Sequence, residues 1–128
     1  MPNYMLLFYA DEADAAETAR RNSERPEWME RAQELTARGA LIANGRLHPS
    51  GTATTVQVVD GETELTDGPF AVTKEILGGY WLIDVADLDE AVKVAASLPL
   101  ARFGKVEVRP QMTDEEALAA SEEAAAGA

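Results

Sequence analysis

Residues 65–89 read LTDGPFAVTKEILGGYWLIDVADLD, and the order of signals in this stretch decides the fold class. Residues 79–85 are aromatic and branched aliphatic, a composition suited to a pleated, half-buried strand. Alternation along that strand puts Tyr80 and Trp81 on opposite faces, one toward helices and the other toward whatever covers the second face of the sheet. Asp87 follows, with Glu90 three residues on, which is the pattern of a capping box at a helix start. In that helix Ala91, Ala95 and Leu98, with Leu88 and Val92 beside them, are expected to form the buried face, and Pro99 ends it. Upstream, Asp67-Gly68-Pro69-Phe70 reads as a turn, and Gly78-Gly79 as a tight turn into the strand.

Working outward, residues 4–9 form a short continuous apolar run, expected as a buried strand. Residues 11–25 are polar and Ala-rich and read as a loop or a loose helical turn. Pro26 suits the first turn of a helix. Trp28, Ala32 and Leu35 then fall at i, i+4 and i+7, with Glu27–Arg31 and Glu34–Arg38 as expected ion pairs on the exposed side and Gly39 as the stop. Residues 41–47 read as a second strand, broken by His48-Pro49-Ser50-Gly51. Residues 54–59 and 62–66 flank Asp60-Gly61, a strong hairpin turn. Residues 105–109 make the last strand, with Val106 and Val108 inward. The order is βαβ, a hairpin, then βαβ: an α+β, ferredoxin-like plan with an inserted β-hairpin. Two helices cover one sheet face. The other needs a cover, and a second copy of the sheet is the simplest one, giving a homodimer.

The length of 128 residues fits a single domain, here residues 1–110. Residues 111–128 form an acidic, Ala-rich tail with one large apolar side chain after Met112, Leu118. Thr113 and Glu116 could cap a short helix, but the tail is expected to fray or be disordered. The net charge is −12, and residues 113–128 contribute five acids and no base, leaving 18 acids against 11 bases in residues 1–112. Such a surface repels phosphates, so nucleic-acid binding through a basic face is not expected. Cys is absent, which removes disulfides and thiol chemistry and fits a reducing compartment. The apolar run of residues 4–10 is too short for a membrane span and has no basic residues before it, so no membrane association is expected and the cytoplasm is the default location.

Several pieces together resemble one family: YMLLFYA (4–10), LTARGALIANGRL (35–47), TATTVQVVDG (52–61), LTDGPF (65–70) and FGKVEVRP (103–110). They are similar to the DGPF branch of the YCII-related family, across roughly residues 3–110. The resemblance implies a dimeric α+β barrel. It also implies an association with extracytoplasmic-function sigma factors, as genomic neighbours of such proteins. Some members of the wider superfamily resemble enzymes with a His–Asp pair, such as dehydrochlorinases of aromatic substrates, in which the His follows the first strand. In this chain that region, residues 11–24, reads DEADAAETARRNSE and has no His.

The candidate site residues lie mostly between His48 and Tyr80. Asp67 is a candidate general base, or alternatively the residue that organises the turn before Gly68-Pro69. Lys74 could stabilise an anion, or pair on the surface with an acid such as Glu75. His48, the single imidazole, is an auxiliary acid or a solvated loop residue. Phe70, Tyr80, Trp81, Tyr9 and Arg46 are candidate ligand contacts, each with packing or structural support as its plainer role. With one His and no Cys, no metal site is expected, and no cofactor is implied. Three functions are compatible with this pattern. One is a small-molecule-binding barrel, with or without isomerase- or lyase-like acid–base activity. Another is a non-enzymatic partner in sigma-factor-linked regulation. The third is a stable dimer whose DGPF block only locks the interface.

Overall fold

The computed structural model describes residues 2–127. Its elements run β1 (Asn3–Asp11), α1 (Ala15–Asn22), α2 (Arg25–Ala37), β2 (Leu41–Arg46), β3 (Thr54–Val59), β4 (Glu62–Asp67), β5 (Glu75–Asp84), α3 (Leu88–Ser97), β6 (Lys105–Pro110) and α4 (Asp114–Ala126). Four strands form one sheet in the order β2-β5-β1-β6, with every neighbouring pair antiparallel. This is the ferredoxin-like α+β arrangement expected from the sequence.

Period-two alternation sorts the sheet. Tyr4, Leu6, Phe8 and Ala10 of β1 and Trp81 and Ile83 of β5 are buried toward the helices. There they meet Leu35 of α2 and Ala91, Val94 and Ala95 of α3, with Leu98 just beyond α3, while Trp28, Ala32, Val106 and Val108 pack against the same core. Met5, Leu7, Tyr9, Tyr80 and Leu82 alternate with these on the opposite face and are half-buried. Tyr80 and Trp81 therefore do face opposite ways.

Several local expectations are corrected. Residues 15–22 form a true helix, α1, capped by Asp14, whose carboxylate accepts from the Glu17 N–H at 2.8 Å. Gly78-Gly79 does not precede β5 but lies inside it. Phe8 opposes Gly79 and Tyr9 opposes Leu77, so Gly78 is the extra residue of a β-bulge. Leu88 and Val92 are exposed at 52% and 48%, and Val94 takes the buried place. At 3.6 residues per turn Leu88 and Val92 lie roughly 70° and 110° to one side of the Ala91–Val94–Ala95–Leu98 stripe. The expected pairs on α2 also differ: Arg31 meets Glu34 at 3.1 Å, and Glu27 pairs with Arg102 from the turn after α3.

The hairpin β3–β4 forms a two-stranded sheet of its own and does not join the main one. Asp60 (φ 51°) and Gly61 (φ 80°) both take the left-handed conformation that a two-residue hairpin turn of matching twist requires. Its base is tied by Gly68 N–H to Ala53 O at 2.7 Å and by Thr55 Oγ1–H to Gly68 O at 2.8 Å.

The tail expected to fray is helix α4, with a complete capping box between Thr113 and Glu116. All its described residues are exposed, since it presents no apolar stripe to bury. An isolated helix of this length is marginal in water. Truncation after Met112 is thus expected to shift global stability by less than about 0.5 kcal/mol while removing helical signal in circular dichroism. A larger loss would mean that α4 packs on the body.

Candidate functional site

Beyond Ala10 the chain turns polar, and residues of α1 and α2 face those of the sheet across an open space. Between them lies a cavity of about 770 Å³, within the ordinary size range of small-molecule sites. Its floor is aromatic. The Phe8 and Trp28 rings lie 5.3 Å apart, Trp28 and Trp81 5.7 Å, and Phe8 and Trp81 6.4 Å, all edge-to-face. Each ring comes from a different element, β1, α2 and β5, so three parts of the fold fix the floor. The rim is polar and is contributed by Asp11, Glu12, Arg21, Arg25, Arg46 and His48.

The rim is organised by hydrogen bonds. Glu12 accepts from Ser50 N–H at 3.1 Å and Ser50 Oγ–H at 3.0 Å, which pins the turn after His48-Pro49 to the end of β1. Arg21 donates to Glu17 at 3.0 Å and to the Asp11 carbonyl at 3.0 Å, and its guanidinium lies 4.8 Å from the centre of the Phe103 ring. Hydrogen bonds from Arg20, then Arg21, hold the Glu17 carboxyl far below its ordinary value of 4.5, at about 2. A depressed carboxylate contributes its stabilisation above the unfolded value and loses it as pH falls through the folded one. The cavity wall at α1 is therefore expected to loosen between pH 4.5 and about 2. NMR titration of the Glu17 side-chain carboxyl should show a midpoint near 2, moving upward in high salt because the pair is open to solvent. A midpoint near 4.5 at low salt would mean that the Arg20–Glu17–Arg21 cluster does not form.

Of the residues singled out in the sequence, Arg46, His48 and Trp81 line the cavity, and Asp67, Phe70, Lys74, Tyr9 and Tyr80 do not. Asp67 ends β4, exposed, opposite Thr54. Its carboxylate makes no hydrogen bond among the described residues, and the turn it was expected to organise is held by Gly68 and Thr55. Phe70 is 91% exposed on the segment after the hairpin. Lys74 is exposed and makes no ion pair among the described residues; Glu75 pairs with Lys105 instead. Tyr9 and Tyr80 lie on the open sheet face. The Tyr80 ring covers Gly45, where a Cβ would come within 2.8 Å of it.

The sequence reading missed Asp11, Glu12, Arg21, Arg25 and the functional side of Trp28. A signal was present. Positions 25, 28 and 32 share one face of α2, which puts the Arg25 guanidinium beside Trp28, and Arg21 stands in the last turn of α1 just before it. Reading residues 11–25 as a loop hid it. Among the described residues, no group of three or more His, Asp or Glu side chains is arranged to hold a metal ion, and no helix is long and apolar enough to cross a membrane.

A family model described as the YCII-related domain matches residues 3–113. An uncharacterized protein of Rhizobium meliloti is 39% identical to this chain over 111 residues, covering 84% of this chain and 90% of that protein.

Proposed function

The chain belongs to the YCII-related family, and on that premise we propose that it binds a small molecule in the cavity between α1–α2 and the sheet. The observation that carries this reading is the aromatic floor of Phe8, Trp28 and Trp81 beneath a polar rim. Apolar walls with a few placed polar groups are how small-ligand sites are built. The carboxylates and the imidazole that line this cavity are Asp11, Glu12, Glu24 and His48, so isomerase- or lyase-type chemistry there would fall to them before Asp67 and Lys74. Screening a fragment set spanning acids, neutrals and amines by the two indole N–H resonances tests the reading, because Trp28 and Trp81 are the only tryptophans. Ligands that shift both resonances support it. A set in which no compound shifts either overturns it.

We further propose that the protein works as a homodimer. Val56, Leu65 and Val58 share one face of the hairpin and are 61%, 68% and 64% exposed, and Phe70 and Val72 beyond it are 91% and 95% exposed. With the apolar open face of the sheet, this is more unpartnered apolar surface than a monomer normally shows. Light scattering should give twice the chain mass for the wild type. A Val56→Thr, Leu65→Thr, Phe70→Ser variant should dissociate more readily. Equal monomer mass for both proteins would sink the proposal. A basic partner from a sigma-factor-linked system draws its support from the net charge of −12; its capture should be lost as salt rises, and absence of any salt-sensitive partner would count against it.

A further inference from the structure

We infer that the ligand of this cavity is a planar anion, an aromatic or conjugated carboxylate, taken by the guanidiniums of Arg25 and Arg46. This rests on the cavity being the ligand site. The argument is one of charge placement. The chain holds 23 acids against 11 Lys and Arg, so bases should have no difficulty finding partners. Arg20, Arg21, Arg31, Lys93, Arg102, Lys105 and Arg109 do find them. Arg25, Arg38, Arg46 and Lys74 make no ion pair among the described residues, and two of these four line the one aromatic-floored cavity.

The acids around the cavity are largely engaged. Both carboxylate oxygens of Glu12 accept from Ser50. Glu24 faces Arg20 at 3.4 Å. Asp11 alone of the lining acids has no side-chain partner among the described residues. In this strongly acidic molecule the aromatic cleft thus holds two guanidiniums without an ion pair among the described residues, beside Asp11 and Glu12, whose charge the Ser50 hydrogen bonds leave in place. Guanidinium forks match carboxylates in plane and in hydrogen-bond spacing, and they act best where water is thinned out by apolar walls. The edge-to-face trio of Phe8, Trp28 and Trp81 offers the apolar part of such a ligand an aromatic bed. A carboxylate on a flat conjugated skeleton satisfies both halves of the site at once.

The test uses the full-length protein, the indole N–H resonances of Trp28 and Trp81, and matched probes: benzoate and cinnamate, their amides, and benzylamine. The carboxylates should bind at least tenfold tighter than the amides, and benzylamine weakest. Arg25→Gln and Arg46→Gln should each weaken carboxylate binding by about tenfold and leave the amides unchanged, since both side chains are exposed and make no hydrogen bond or ion pair among the described residues. Arg38→Gln, an unpaired arginine outside the cavity, should change nothing. Equal binding of acids and amides, or undiminished carboxylate affinity in both rim variants, overturns the anion inference and leaves the cavity reading standing. Failure of every probe, whatever its charge, to move either indole overturns both.

Discussion

Trp81→Ala is expected to destabilise the protein by about 3–5 kcal/mol, the range for removing a large aromatic from a core. Trp81 sits mid-strand on β5, which pairs with β1 on one side and β2 on the other, and is 6% exposed. Its removal takes an edge-to-face partner from both Phe8 and Trp28. It also opens the floor of a cavity that already reaches solvent, so water wets the remaining two rings rather than leaving a dry void. A domain of ordinary stability holds only about 5–15 kcal/mol in all, so the variant should be close to marginal. Urea unfolding would show it as a lower midpoint with little change in slope. Trp28→Ala, at the partly exposed end of the same trio, should cost less. A loss below about 1 kcal/mol for Trp81→Ala would mean that the trio is not part of the core.

Gly104→Ala should cost about 3 kcal/mol, the upper part of the range for overpacking. A Cβ at Gly104 would lie 2.3 Å from the Tyr9 carbonyl oxygen, with Ala10 Cβ at 3.1 Å and Leu100 Cδ2 at 3.2 Å. The first contact is with backbone of a central strand, which cannot swing aside as a side-chain tip can. Relief requires moving the start of β6 away from β1, which would strain the Tyr9–Lys105 end of their pairing. Gly51→Ala is the matched control, since a Cβ there meets nothing within 4 Å, and it should change stability by less than about 0.5 kcal/mol. Thermal unfolding of the two variants side by side checks the claim. Equal melting temperatures would show that the Gly104 approach is looser than described.

Much of the architecture was legible along the chain because it depends on local periodicity and local turn chemistry. The alternation around Trp81 and Ile83, the Asp87 cap and the Asp60-Gly61 turn each act over a few residues, and each appears where expected. Where the reading failed, the deciding interaction came from outside the segment. Glu27 reaches Arg102, far along the chain, instead of its helical neighbour Arg31. Gly78-Gly79 became part of β5 because β1 extends past them and supplies strand partners, while β2 reaches as far as Gly79. Leu88 and Val92 were assigned to the core by their type, but the rotation of α3 against the sheet leaves them outside.

The candidate site divides in the same way. Residues 65–89 drew attention to Asp67, Phe70 and Lys74 because they form a compact and unusual word in one dimension. In three dimensions that word lies on an exposed hairpin and the segment after it, and of the chosen residues Arg46, His48 and Trp81 reach the cavity. By itself, the sequence determined the element order, the faces of the strands and the acidic balance of the chain, since periodicity, capping and charge are carried by neighbouring residues. Only the tertiary structure decided which side chains share a cavity. Phe8, Arg25, Trp28, Arg46 and Trp81 are separated by up to 73 positions, and it is the pairing of β5 with β1 and β2 in one sheet beneath α2 that brings them to one place.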